Sequence, residues 1–250
     1  MASVAPPVPS PESEQKPLSF PARVVGALFS PGKTFADIAR KPSFIAPLLL
    51  IAVLSGAHGL SLVKRGVADE VAREQMAKSG RLEQLPPEQR ERAEQFGITS
   101  TRVGFYATPV LAAIAMFLVA GVLLLITNFV LGAEVRYGTM VAVTCYGAMP
   151  SMISSILSTV VVWLKPPSDV NVQNLIPASN LAILVDQEAH KALYRLASSI
   201  DLFSVWHIVV LGIGIAAAAR FSVKKGVMTV LIPWAIWVLG SVAMVAIFAK

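Results

Sequence analysis

Five long apolar runs dominate the chain, and polar stretches separate them. Each run has at least 18 residues, and none of the five contains an Asp, Glu, Lys or Arg. A helix needs about 20 mostly apolar residues to cross the roughly 30 Å apolar core of a bilayer. The pattern therefore predicts an all-α integral membrane protein, a bundle of five transmembrane helices accompanied by amphipathic interfacial helices. The predicted spans are approximately 44–63, 106–131, 139–164, 202–219 and 227–249.

Two of the polar connections are long enough to form structure of their own. The stretch 64–105 carries about eight basic and seven acidic side chains, and apolar residues recur in it at helical spacing until Pro86 and Pro87. We expect this charged loop to form a solvated helical hairpin or arm. In the second connection, apolar residues of about 180–197 share one face at the 3.6-residue period. They predict an amphipathic helix that lies along the membrane surface or against the bundle.

The first 19 residues are rich in Pro, Ser and Ala and offer almost nothing for a core to bury. Such a composition is typical of a disordered tail, so we assign the membrane domain to residues 20–250. The first long apolar run begins only near Ser43, which is too late for a signal peptide. We therefore expect the start of the chain to be retained.

The string ALFSPGKT at residues 27–34 satisfies the loosest form of a phosphate-binding loop. A working loop follows a buried strand and donates backbone amides to the phosphates. Here Arg23 and Gly26 interrupt the preceding apolar stretch, and Pro31 has no amide hydrogen to donate. The sequence therefore predicts that no nucleotide and no cofactor is bound.

The same residues fit a short amphipathic helix better. Pro31 suits a first helical position, and Phe35 and Ile38 then share an apolar stripe, while Lys33 and Arg40 lie off it. We expect this helix to lie on the cytoplasmic leaflet with its basic groups near lipid phosphates. Lys33, Phe35, Ile38 and Arg40 are therefore candidate residues of an interfacial docking surface.

Charge and cysteine content add an orientation signal and exclude other classes. The net charge is +6, but the 21 basic residues are scattered among short loops instead of forming a patch, so no nucleic acid is predicted as a partner. Basic residues at the entry to the first span and between the last two spans favour a cytoplasmic amino terminus, while Lys64, Arg65 and Arg102 oppose it. The single cysteine, Cys145, excludes an internal disulfide, and no metal site is predicted. The Ala- and Arg-rich composition indicates the cell (inner) membrane of a bacterium.

Few polar residues lie where they could act inside the membrane. His58 falls within the first span, where a proton-relay role competes with a neutral ring paired to a backbone carbonyl. Asp201 precedes the fourth span, where capping of that helix competes with contact to a substrate or ion. Gly212 and Gly214 give the fourth span a small-residue face for close packing, within the bundle or between two copies of the chain. No nucleophile–base or paired-acid motif of an intramembrane hydrolase is present, so no enzyme is predicted.

Three stretches resemble the Yip (Ypt-interacting protein) family in its bacterial form. They are ALFSPGKTFADIARKPSFIAPLLL, VAVTCYGAMPSMI and SSIDLFSVWHIVVLGIGIAAAARFSVKKG. The resemblance covers roughly residues 20–249 and implies a five-span membrane protein with a cytoplasmic amino terminus and no catalytic residues. Eukaryotic relatives are associated with Rab-type GTPases and membrane traffic. The charged insertion at 64–105 departs from their compact pattern and argues against a Rab-binding role here.

Two hypotheses of function follow. The first is a non-catalytic membrane-organising or partner-binding scaffold, with the leaflet-lying helices and the charged loop as its docking surfaces. The second is a small transporter or channel component with a pathway around the spans that Pro109 and Pro150 interrupt. A polar cavity at mid-membrane lined by His58, Ser154, Ser155 and Asn128 would favour transport, and a dry, packed bundle would rule it out.

Overall fold

The computed structural model describes residues 16–80, 82–187 and 189–248. All regular secondary structure within these ranges is helical. The predicted all-α fold is confirmed. Residues 1–15 of the predicted tail lie outside the described residues, and 16–19 have no regular secondary structure. The α-helices are α1 (Phe20–Phe29), α2 (Pro31–Arg40), α3 (Ile45–Lys64), α4 (Val67–Ser79), α5 (Pro87–Tyr106), α6 (Thr108–Leu125), α7 (Tyr137–Gly147), α8 (Met149–Leu164), α9 (Lys191–Ser199), α10 (Leu202–Ala219) and α11 (Val223–Phe248).

Five stretches of the described residues are long and apolar enough to cross a membrane, which is the predicted number, and their bounds lie within a few residues of the predicted spans. A π-helical turn, Ile126–Val130, extends α6. The third stretch joins α7 to α8 at Ala148, close to Pro150, which has no amide hydrogen for the helical ladder. The five stretches are Ile45–Lys64, Thr108–Val130, Tyr137–Leu164, Leu202–Ala219 and Val223–Phe248.

Because successive spans run in opposite directions, the connections between them lie on two faces of the bundle. The amino-terminal segment shares one face with the turns at 131–136 and 220–222. We call this side of the bundle the amino-terminal face. The opposite face carries 65–107 and 165–201, and we call it the hairpin face because α4 and most of α5 lie there.

The centre of the bundle is α7 and the first residues of α8. Every residue from Met140 to Pro150 is buried, including Tyr146, which is the largest fully buried side chain. Leu211 and Ile215 of α10 complete this core. An interior filled in this way leaves α3, α6 and α11 on the outside, where their exposed apolar side chains face lipid.

Glycines allow α10 and α11 to approach closely. A Cβ atom at Gly226 would lie 2.2 Å from the carbonyl oxygen of Gly212, and one at Gly212 would lie 2.5 Å from the Cα of Val227. A Cβ at Gly214 would lie 2.8 Å from Phe35. The predicted packing of Gly212 and Gly214 within the bundle is confirmed. Other helices of the same chain lie against both glycines.

The helices α1 and α2 form a hairpin that packs into the bundle. Phe35 and Ile38, the apolar stripe of α2, are both 0% exposed. At the turn of the hairpin, the ring of Phe29 lies 6.5 Å from that of Trp206. Trp206 is roughly 20 Å along α10 from its end at Ala219, at about 1.5 Å per residue. The hairpin therefore enters from the amino-terminal face and runs far along the bundle, and the Phe29 side chain at its turn is exposed.

Backbone groups at this turn are satisfied within the hairpin. The Ser30 amide donates to the Gly26 carbonyl oxygen at 2.8 Å, and the Thr34 hydroxyl donates to the Ser30 carbonyl oxygen at 3.1 Å. A Cβ at Gly26 would lie 2.2 Å from the Thr34 hydroxyl oxygen, so glycine permits the two helices to meet. Backbone groups at membrane depth need internal partners of this kind, because lipid offers none.

The charged connection forms the expected helical hairpin, α4 and α5. Gly66 and Gly80 flank α4 in the left-handed region, with φ of 76° and 61°. A Cβ at Gly97 of α5 would lie 2.7 Å from the Met76 sulfur of α4, so the two helices approach closely. The hairpin is continuous with the bundle at Ala107, where α5 ends and α6 begins.

The second long connection differs from the prediction. Instead of one helix over 180–197, a 3₁₀ turn covers Leu181–Leu184 and α9 begins only at Lys191. The Asn180 side chain accepts a hydrogen bond from the Ala182 amide, a local contact that competes with α-helix formation. The expected amphipathic character is retained in α9, which packs against α11.

Candidate interaction surfaces and intramembrane polar contacts

The four predicted docking residues of α2 divide into two pairs. Lys33 and Arg40 are exposed, but Phe35 and Ile38 lie in the core. The apolar stripe of α2 is therefore covered by α7 and α10 and is not available to a partner, which corrects the predicted docking role of Phe35 and Ile38. Only the basic edge of the helix is accessible.

An ion pair between the two helices of the hairpin was not predicted. A guanidinium N–H of Arg23 lies 2.8 Å from a carboxylate oxygen of Asp37, and the two side chains are only 5% and 8% exposed. Arg23 also donates to the Ser43 hydroxyl at 2.8 Å, and the Leu18 amide donates to Asp37 at 3.2 Å. This network ties the chain before α1 to α2 and to the entry of α3.

The ion pair determines the charge state of Asp37. Burial by itself raises the pKa of this carboxyl group. Hydrogen bonds and charge from Arg23, with smaller contributions from Arg40 and the Leu18 amide, outweigh burial and hold the pKa below its ordinary value. Asp37 is therefore a carboxylate at neutral pH. It acts as the structural ion-pair partner of Arg23 rather than as a proton donor.

The two histidines in the spans bond to the polar face of α8. Nδ1 of His58 lies 2.9 Å from the Thr159 hydroxyl, and Nδ1 of His207 lies 3.2 Å from the Ser151 hydroxyl. The Thr159 hydroxyl also donates to the Ser155 carbonyl oxygen at 2.8 Å. Its single proton is thereby used, so we assign the His58 proton to Nδ1. The partner of His58 is thus a hydroxyl rather than the backbone carbonyl that was expected.

The polar residues proposed for a transport pathway do not converge. Asn128 closes a small ring with Val135, donating to its carbonyl oxygen at 2.9 Å and accepting from its amide at 3.0 Å. It lies at the amino-terminal face, whereas His58 is near the other end of α3. His58 and Asn128 therefore belong to separate local contacts.

Asp201 is a helix cap, as one of its two interpretations predicted. Its carboxylate accepts hydrogen bonds from the amides of Phe203 at 2.9 Å and Ser204 at 3.1 Å, and the Ser204 hydroxyl donates to it. These bonds satisfy amides that a helix start leaves free. The negative charge also lies at the positive end of the α10 dipole.

The α4–α5 hairpin presents many exposed residues outside the spans. Arg102 of α5 donates two hydrogen bonds to the Asp69 carboxylate of α4, at 2.7 and 2.6 Å. These bonds lower the pKa of Asp69 and raise that of Arg102. Arg73 pairs with Glu70 within α4 and with Glu94 across the same interface.

Farther from the membrane, an open groove of about 800 Å³ runs along the contact between the two helices of this hairpin. Apolar and polar side chains share its lining, and Phe96 at its edge is 76% exposed. The groove also includes Met76, Leu82, Leu85, Gln75 and Ser100. We call it the hairpin groove.

Within the described ranges, no three His, Cys, Asp or Glu side chains are grouped as a metal site would require. The accessible features are instead the hairpin groove, the exposed basic edge of α2 and the lipid-facing helices. Together with five spans, they define a multi-pass, all-helical membrane protein.

Comparison with known proteins identifies the family. The Yip1 domain matches residues 25–245, and the chain belongs to this family. It is similar to Membrane protein YknW of Bacillus subtilis (strain 168), with 25% identity over 218 residues that cover 86% of this chain and 87% of that protein. No solved structure matches the chain. The resemblance inferred from the three sequence stretches is thus confirmed.

Proposed function

We propose that this protein is a non-catalytic scaffold of the bacterial cell membrane, which organises the membrane around it or holds protein partners. The amino terminus is in the cytoplasm, and the α4–α5 hairpin reaches partners on the opposite side. Family membership supports a membrane role. The particular role is inferred from the contacts of this chain.

The distribution of charge between the two faces supports this orientation. The amino-terminal face carries nine basic and four acidic side chains, counted over segments 1–44, 131–136 and 220–225. The hairpin face carries twelve basic and eleven acidic side chains, counted over segments 64–107, 165–201 and 249–250. Basic residues in short segments next to spans favour the cytoplasmic side. The turns 131–136 and 220–225 carry four basic residues in only twelve positions directly next to spans, and this part of the distribution supports the proposed orientation.

The observation that carries the scaffold proposal is the contrast between the interior and the hairpin. Inside the bundle, His58, His207 and Asn128 are each engaged in short local hydrogen bonds. Outside it, the hairpin presents charged surfaces and an open groove with Phe96 at its edge. Phe96 adjoins Met76 and Leu85 in the lining of the groove, and a contiguous exposed apolar patch rimmed by polar residues is typical of a protein-binding site.

Crosslinking in native membranes tests the groove directly. We expect Phe96→Asp to reduce the crosslinked yield of hairpin partners about tenfold, because it places a charge where an apolar contact is proposed. The yield is measured by mass spectrometry after a photocrosslinker is introduced at Thr101, which lines the groove.

The matched control is Gln95→Asp, which adds the same charge at the neighbouring exposed position outside the groove lining. It should leave the crosslinked partners unchanged. Equal yields from the protein with Phe96→Asp and from the unmodified protein would remove the groove from the proposal.

The polar face of α8 is the observation that favours transport as a second function. His58 and His207 both reach it, and Ser158 on the same helix is buried. A pathway would have to continue from these groups to the amino-terminal face, but Asn128 there is engaged with Val135. The scaffold is therefore the better-supported function.

A further inference from the structure

Helix α9 places an arginine against the outer surface of α11. Nε of Arg195 donates to the Ser241 hydroxyl at 3.2 Å, which fixes the guanidinium beside the span. In the part of the chain that the structure describes, no carboxylate lies within 4 Å of this guanidinium. A half-buried positive charge beside a lipid-facing helix therefore has no carboxylate partner among the described residues.

Arg195 forms the rim of a shallow groove of about 520 Å³ that runs along α11. Apart from Arg195 and Ser241, the groove is lined by apolar groups. Trp237 and Met244 are 74% and 58% exposed, so the groove opens sideways toward lipid. Its floor includes Gly240, where a Cβ atom would meet no other atom within 4 Å.

The depth of Arg195 matches the boundary between lipid tails and headgroups. Ser241 is roughly 27 Å along α11 from Val223, the first residue of that helix on the amino-terminal face. The apolar core of a bilayer is about 30 Å thick. The guanidinium thus lies near the phosphates of the lipid leaflet on the hairpin face, and the groove extends beside it.

We propose that Arg195 and this groove bind one phospholipid with a net negative headgroup, with the phosphate on the guanidinium and an acyl chain along α11. Guanidinium and phosphate form strong paired hydrogen bonds. A zwitterionic lipid brings its own cation, which competes for the phosphate, so an anionic lipid complements the unpaired charge better. A free phosphate ion would leave the apolar groove unfilled. The site depends only on α9 and α11, independently of the hairpin groove.

The test is retention of lipid by the purified full-length protein in detergent, measured by native mass spectrometry. Phosphatidylglycerol, phosphatidylcholine and inorganic phosphate are the three probes. We expect phosphatidylglycerol to bind with a stoichiometry of one and about tenfold more tightly than phosphatidylcholine. Inorganic phosphate should not displace it.

Two variants change the site in different ways. Arg195→Gln removes the charge, and Gly240→Leu fills the groove while Arg195 stays in place. Each should weaken phosphatidylglycerol binding about tenfold. Lys165→Gln removes a positive charge from the same face at an exposed position and should bind as the unmodified protein does.

Three outcomes would overturn the proposal. They are equal retention by Gly240→Leu and the unmodified protein, equal binding of phosphatidylglycerol and phosphatidylcholine, and displacement of the lipid by inorganic phosphate. Because Gly240→Leu leaves Arg195 in place, its result stands even if Arg195→Gln fails to fold. Partner crosslinking at the hairpin groove is read separately, so failure of one proposal is distinguishable from failure of the other.

Discussion

Replacing Asp37 by Asn should lower the free energy of unfolding by about 3–5 kcal/mol, because it leaves the buried guanidinium of Arg23 without a counter-charge. Neither side chain is more than 8% exposed, so water cannot compensate for the lost partner. The loss is measured by denaturation of the purified protein in mixed micelles. The α1–α2 hairpin should become accessible to protease at lower denaturant concentration.

A double replacement separates the ion pair from simple loss of packing. Arg23→Met combined with Asp37→Leu removes both charges and keeps side-chain volume, and it should recover more than half of the loss. If Asp37→Asn is as stable as the unmodified protein, the pair has no structural role and the hairpin is held by apolar contacts alone.

The same pair makes a signed prediction about pH. The folded-state pKa of Asp37 is below its ordinary value of 3.8, so the unfolded state binds a proton more readily. The contribution of the pair to stability is fully present above that ordinary value and is lost as the pH falls through the lowered folded-state pKa. The stability difference between the unmodified protein and Asp37→Asn should therefore shrink in acid and stay constant near neutral pH.

Gly226→Ala should cost about 3 kcal/mol, although it adds only one methyl group. The added Cβ would lie 2.2 Å from the Gly212 carbonyl oxygen and 2.9 Å from the Ala216 amide nitrogen, both of them backbone atoms. Backbone cannot rotate away as a side chain can, so α10 and α11 must separate. Denaturation in mixed micelles measures the loss.

The matched control is Gly121→Ala in α6, where the new Cβ meets no atom within 4 Å. It should be neutral or stabilising, since alanine is the better helix former. Equal stability of the two alanine variants would contradict the close packing of α10 on α11.

The positions of the spans are predictable from hydropathy because a bilayer imposes the same length and polarity on each of them. The predicted first span, 44–63, differs from Ile45–Lys64 by one residue at each end. The cap at Asp201 is also predictable, because an acidic residue directly before an apolar helix can accept hydrogen bonds from the first amides of that helix. Both predictions depend only on neighbours in the sequence.

The placement of α1 and α2 was not predictable from their periodicity. A stripe containing Phe35 and Ile38 has the same pattern whether it faces a lipid leaflet or α10, because both are apolar. The signal that separates the two is the opposite charge of Arg23 and Asp37, which are 14 residues apart. The two charges can be buried as a pair only if the two helices fold back on each other.

Contacts between distant parts of the chain were equally inaccessible. Thr159, the partner of His58, is 101 residues away. The break in the predicted helix at 180–197 does have a local signal, because Asn180 bonds to the backbone two residues on. The sequence predicts the α4–α5 hairpin but not the groove, because the shape of the groove depends on how the two helices and the segment between them pack.

Labelling of single cysteines in intact bacterial cells tests the two-sided organisation of the scaffold most directly. Gln95→Cys reports the hairpin face and Glu134→Cys the amino-terminal face, while Cys145 is fully buried. With a membrane-impermeant maleimide in an outer-membrane-permeable strain, Gln95→Cys should react in intact cells and Glu134→Cys only after the cell membrane is opened. The reverse pattern would place the hairpin in the cytoplasm and contradict the proposed scaffold orientation.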